Sequence, residues 1–199
     1  MQTTDGKYRT LLELTTAIDK ETNVQTILKS LHKPLSAILR FDGIAMLLLT
    51  GDEESLRLVA LERGLAGPHV EVGAEGPYAG SAAGRAIEEQ RTIYVPDTRQ
   101  EMTRFFQTAS QASASHLRSS YMVPVSTPRR KLGVLWFGTR EESAAGPDDV
   151  ALMEAVAFHV ATALESVERC SRVISETIAG RARPLEVAAR DQQPCDRVS

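Results

Sequence analysis

The chain switches between helical and strand-like hydrophobic periods, and the switches mark its elements. Tyr8, Leu11, Leu12, Thr15 and Ile18 share one face of a short helix. Thr22-Asn23-Val24-Gln25 follows, with a hydroxyl at the cap position and an amide three residues later, the pattern of a capping box. Val24, Ile27, Leu28, Leu31, Leu35, Ile38 and Leu39 recur at spacings of three and four. They predict an amphipathic helix, kinked or interrupted near Pro34. Residues 43–50 (GIAMLLLT) are a nearly continuous apolar run, as in a central strand covered on both faces. Residues 51–54 read as a turn and 55–62 (SLRLVALE) as a second strand, giving an antiparallel hairpin.

Residues 63–80 are rich in Gly and Pro, with a short strand expected around 69–72. Ser81 caps a helix of small residues, AAGRAIEEQ, whose small side chains permit close approach to a sheet. Residues 92–95 (TIYV) form a strand, stopped by Pro96-Asp97. The stretch 97–118 is polar apart from Met102, Phe105 and Phe106, and reads as a helix or a loop. Residues 121–125 and 132–137 are strands joined by Thr127-Pro128-Arg129-Arg130, a second hairpin.

Gly146-Pro147-Asp148-Asp149 opens the last helix, with Pro in the first turn and acids at the positive end of the dipole. Met153, Ala157, Val160, Leu164, Val167, Ser171, Ile174 and Ile178 follow at alternating spacings of four and three, an a/d heptad seam. Running to Gly180, such a helix is roughly 48 Å long, beyond the ~30 Å of a small domain. Its first half is expected to lie on the sheet and its second half to need a partner helix. Met153, Ala157, Val160, Leu164, Val167 and Ile174 are therefore the expected residues of a homodimer helix. The expected division is a domain over 1–168, a projecting helix end over 169–180 and a disordered tail over 181–199.

Composition narrows the function. The chain has 199 residues, 42% hydrophobic and 25% charged, enough for one domain with a real core. A net charge of −3 supplies no basic field, so neither direct nucleic-acid contact nor membrane attraction is expected. No run of 18 apolar residues occurs and the first residues are polar, so a soluble cytoplasmic protein is expected. Cys170 and Cys195 make neither a disulfide framework nor a zinc pattern, and the four histidines lack metal-ligand spacing. No metal or cofactor is expected.

The segments GSAAGRAIEEQRTIYVPDT (80–98), SSYMVPVSTPRRKLGVLWFGTR (119–140) and DDVALMEAVAFHVATALE (148–165) resemble the GAF domain, a family of small-molecule sensor modules. The match is nearest to sensor domains at the N-termini of bacterial transcriptional activators of the formate-hydrogenlyase-activator type. The resemblance implies an α+β fold: a central antiparallel sheet of five or six strands. It carries the N- and C-terminal helices on one face, with a short helix and a variable loop over a pocket on the other.

It also implies tests of activity. Relatives that reduce free methionine sulfoxide, or that attach a bilin, use a pocket cysteine. Here both cysteines fall outside the expected globular core, so no enzyme is expected. Cyclic-nucleotide-binding relatives carry an Asn-Lys…Phe…Asp-Glu motif. The only asparagine here is Asn23, outside the matching region, so the motif is missing. GSAAG lacks the spacing of a phosphate loop and of a nucleophile elbow. Ser30-Leu31-His32-Lys33 matches SxxK by chance within an amphipathic helix, and the paired acids fit turns and helix ends.

What remains is the variable loop and its surroundings. Tyr78, Arg85, Arg104, Phe105, His116, Arg118, Ser120, Tyr121 and Trp136 are the candidate ligand-binding residues. Phe105 and Phe106 either line a cleft or plug a small core. Clustered arginines favour a small anionic ligand, assisted by the open N–H groups at the start of the small-residue helix. The expected function is a sensor that passes ligand binding through a dimeric C-terminal helix to transcriptional or signalling output. The alternative is a structural dimerisation module without a ligand.

Overall fold

The computed structural model describes residues 23–52, 54–62, 72–99, 101, 117–142 and 145–181, with side chains described as far as Val167. The first helix, α1, spans Val24–Ser36. Its cap is Asn23 rather than the expected Thr22, which lies outside the described residues. Asn23 has extended backbone, and its Oδ1 accepts the Gln25 N–H at 2.8 Å. Ile27, Leu28, Leu31 and Leu35 are fully buried along one stripe, each worth about 1.5–3 kcal/mol. Pro34 removes an N–H donor and the helix ends two residues later, so the apolar period runs past the helix to buried Leu39.

Among the described residues, six strands form one antiparallel sheet: β1 (Gly43–Leu49), β2 (Ser55–Glu62), β3 (Glu75–Pro77), β4 (Ile93–Val95), β5 (Ser119–Ser126) and β6 (Lys131–Thr139). Their order across the sheet is β3-β2-β1-β6-β5-β4. Both expected hairpins, β1–β2 and β5–β6, are present, and β1 and β6 occupy the centre. Of the strand expected at 69–72, residues 69–71 lie outside the described residues, and Val72 lies in a turn with Gly73. Gly73 takes φ +104°, which only glycine adopts freely, and β3 begins two residues later.

Side chains alternate across the sheet and build two cores. Ile44 and Met46 of β1, Leu135 and Phe137 of β6, and Tyr121, Val123 and Val125 of β5 share one face. This helical face packs with α1 and the last helix, α3 (Pro147–Arg181). Ala45, Leu47, Met122, Val134 and Trp136 share the other face and meet α2 (Ala82–Glu89) through Ala82, Ala83, Ala86 and Ile87.

Helix α3 begins as expected, with Asp148 and Asp149 in its first turn. The first half of its stripe lies in this chain's own core, as expected, which takes Met153, Ala157, Val160 and Leu164 out of the expected homodimer helix. All four are at most 5% exposed. A four-three spacing covers a flat sheet as well as it covers a second helix, so period alone does not name the partner. Val167 is half-buried, and Ile174 lies beyond the described side chains. The part Pro147–Val167 is long and apolar enough to cross a membrane by length and composition, contrary to the expectation from uninterrupted runs. Its apolarity has a local use: Leu152, Met153, Val156, Ala157, Val160, Ala161 and Leu164 are buried in the helical-face core. The chain divides into two units, Met1–Val167 and Glu168–Ser199.

Candidate functional site

Helix α2 and the loop before it are built for close approach. Ser81 Oγ accepts the Gly84 N–H and donates to the Tyr78 carbonyl, both at 2.9 Å. Gly84 sits against that same carbonyl, and a Cβ there would lie 2.0 Å from the Tyr78 oxygen. Gln90 ends the helix at φ 52°, an uncommon conformation for a residue with a Cβ. Its amide holds the turn, Nε2 donating to the Ile87 carbonyl and Oε1 accepting from Ser126 Oγ, both at 2.6 Å.

Of the expected ligand-binding residues, three come together on the α2 face. Tyr78 packs against this core, Trp136 belongs to it, and Ser120 shares its strand face with Met122. Ser120 pairs with Gly138 and Met122 with Trp136, so Ser120 and Trp136 are diagonal neighbours, about 7–8 Å apart along the backbone. Leu117 lies over Gly138, where a Cβ would come within 2.5 Å of Leu117 Cδ1.

The other expectations fare differently. Tyr121 points to the opposite face, where its hydroxyl accepts the Ala145 N–H and its ring lies 5.0 Å from Tyr94. Burial pushes the Tyr121 phenol above its ordinary pKa, against the opposing effect of the Ala145 hydrogen bond. Arg85 is exposed, and Arg118 is exposed and paired with Glu142 at 2.8 Å. Arg104, Phe105, Phe106 and His116 lie outside the described residues. The open N–H group expected at the start of α2 already has an anion. The Glu101 carboxylate accepts the Ala82 N–H at 2.9 Å from 19 residues away.

Thr98 was not among the expected residues. It is fully buried, and its N–H donates to the Arg118 carbonyl at 2.8 Å beside β5. Nothing in the polar stretch around it signals burial. Glu101 was missed for a like reason, since its partner is remote in sequence. Nearby, the hydrogen bond from Arg99, reinforced by its charge, holds the Asp97 carboxyl below the usual aspartate range.

Among the described residues, three buried side-chain atoms have no hydrogen-bond partner: Thr98 Oγ1, Ser120 Oγ and Trp136 Nε1. Buried polar groups are nearly always paired, because an unmet donor or acceptor costs about 1–3 kcal/mol. Ser120 and Trp136 belong to the α2 face, and Thr98 adjoins β5 beside Ser120. Among the described residues no group of three or more His, Cys, Asp or Glu is placed to hold a metal ion.

The sheet order, the helices on one face and the short capped helix on the other define an α+β domain built on one antiparallel sheet. The GAF domain family model matches residues 23–166, and the chain belongs to this family. Solved structures agree in fold. The GAF domain of a two-component sensor histidine kinase from Bacillus halodurans is 23% identical, with a TM-score of 0.63, covering 76% of this chain and 99% of that one. The GAF domain of a phosphoenolpyruvate-protein phosphotransferase from Coxiella burnetii is 15% identical, with a TM-score of 0.70, covering 86% and 99%. A free methionine-R-sulfoxide reductase from Neisseria meningitidis, solved with its substrate, is 16% identical, with a TM-score of 0.65, covering 85% and 96%. The comparison with curated proteins finds no match.

Proposed function

We propose that this GAF domain is a sensor that binds a small molecule on the α2 face and passes its occupancy into α3. The observation that carries this reading is the set of three unpaired polar atoms at Thr98, Ser120 and Trp136. A core made only for stability would bury apolar groups there. The same strands also hold α3. Tyr121, next to Ser120 on β5, ties Ala145 just before the helix. Thr92, before β4, donates to Glu154 at 2.7 Å, and Thr127, after β5, donates to Glu165 at 2.5 Å. A ligand that binds two arrangements of β4 and β5 unequally would shift α3 between two positions.

Helix α3 continues past residue 166, the last residue matched to the family, to Arg181. In the proposal, its distal residues, Val167 and Ile174 among them, meet a second copy. The narrower resemblance to formate-hydrogenlyase-activator-type regulators makes transcription the favoured output, in a cytoplasmic protein with no nucleic-acid or membrane contact of its own. The matched span contains no cysteine, which favours binding over thiol chemistry. Arg85 and Arg118 lend no buried charge to an anionic ligand.

Thermal melting of the whole chain across a small-molecule panel tests the input. A ligand at 100 times its Kd adds about 2.7 kcal/mol of stability. At least one compound is expected to raise Tm, or native mass spectrometry to show a retained small molecule. Neither result would leave a structural dimerisation module. Truncation after Glu168 tests the output, with a weaker dimer expected by light scattering. Unchanged association would remove the distal helix from the interface.

A further inference from the structure

We infer that the α2 face selects an uncharged ligand, one whose carbonyl or ring-nitrogen acceptors pair with Thr98, Ser120 and Trp136. This rests on the sensor reading above and adds the chemistry of what is sensed. Trp136 Nε1 can only donate a hydrogen bond, so the ligand atom that meets it must be an acceptor. The Thr98 and Ser120 hydroxyls each donate or accept, and adapt to either edge of an amide or of a heteroaromatic ring. All three side chains are at most 3% exposed, so water does not compete for them. The apolar neighbours Ala82, Ala86, Ile87, Leu117 and Met122 in the same buried cluster suit the body of a flat, uncharged molecule.

An anion fits this surface poorly. A desolvated carboxylate needs a cationic partner or several charge-assisted hydrogen bonds. Among the described residues the nearby guanidinium groups face water: Arg85 is exposed, Arg99 pairs with Asp97 at 3.2 Å, and Arg118 pairs with Glu142. Two N–H groups at the start of α2 are already taken. Its Ala82 N–H is held by Glu101 and its Gly84 N–H by Ser81. The Glu101 charge would itself repel a second carboxylate. A cation is disfavoured by the indole N–H, which presents positive charge outward.

Two hydroxyls kept unpaired for a ligand weaken the empty protein. Removing them therefore acts in opposite directions on stability and on binding. The chain has a single tryptophan, Trp136, so its fluorescence reports this face directly. The experiment titrates the full chain with nicotinamide, uracil and benzoate, following Trp136 emission, in the native chain and in Thr98→Val and Ser120→Ala. Nicotinamide and benzoate share a flat ring and differ in presenting a neutral amide or a carboxylate.

At least one neutral probe is expected to change Trp136 emission at millimolar concentration, with benzoate about tenfold weaker or more. Each variant is expected to keep or raise the ligand-free Tm and to weaken the neutral probe about tenfold. Benzoate binding as tightly as the neutral probes would overturn the inference. So would silence from both neutral probes, or a Tm several degrees lower in both variants, which would show the hydroxyls already paired. Each of these leaves the sensor reading standing if the melting panel or native mass spectrometry still shows a bound molecule. If those also show nothing, both readings go.

Discussion

On the helical side of the sheet, Ile27, Leu31, Ile44, Phe137, Met153 and Val160 close a core none of whose described residues has an unpaired buried side-chain atom. The Tyr121 hydroxyl has Ala145, and Phe137 meets Phe41 edge-on at 5.5 Å. On the α2 side the helix buries alanines, a glycine and Ile87, and Ser120 and Trp136 have unmet polar atoms, with Thr98 alongside β5. One sheet supports both. In the proposed reading, burial alone does not separate structure from site; the state of the polar atoms does. A face kept for stability satisfies its donors, and a face kept for a guest leaves some waiting.

The comparison can be broken at four points. Phe137→Ala opens the helical core and should cost about 3–5 kcal/mol in urea unfolding. A cost below about 1 kcal/mol would mean that this face is not the main source of stability. Gly84→Ala drives a Cβ into the Tyr78 carbonyl, which as backbone cannot swing aside, and should cost about 1–3 kcal/mol. Ser81→Ala removes the cap and leaves the Gly84 N–H buried and unpaired, for about 1 kcal/mol. If Gly84→Ala and Ser81→Ala are both neutral, α2 is not seated as described.

The smallest effect is a pH dependence. Burial raises the Tyr121 pKa above the ordinary value of 10.0, so the folded chain holds this proton more tightly than the unfolded one. The resulting stability is full below pH 10 and is lost as pH rises through the folded pKa. Tyr121→Phe should flatten the alkaline limb of a Tm-against-pH curve. An unchanged limb would mean that Tyr121 is not buried as a neutral phenol.

Much of this was legible in the residues. The hairpins followed from runs of apolar residues bounded by turns, and the caps at Ser81 and before Val24 followed from short polar side chains ahead of helical periods. The misses share a cause. Asn23 displaced Thr22 as cap because both are good caps, and backbone geometry chooses between them. Tyr121 and Ser120 were expected on one site, yet neighbours in a strand face opposite ways, and nothing local said which face was which. Glu101 and Thr98 find their surroundings across the fold, Glu101 on Ala82 and Thr98 beside Arg118, through contacts no window of sequence contains.

The family resemblance implied the α+β class; what the amino-acid order determined by itself was local: where the chain coils, extends and turns. These depend on side chains a few residues apart. What only the tertiary structure decided was partnership. It gave the start of α2 to Glu101, set Ser120 and Trp136 on one face of the sheet and Tyr121 on the other, and left three of the described polar atoms without a bond. Partnership is set by groups that meet in space after remote segments pack, and periodicity along the chain carries no record of who they meet.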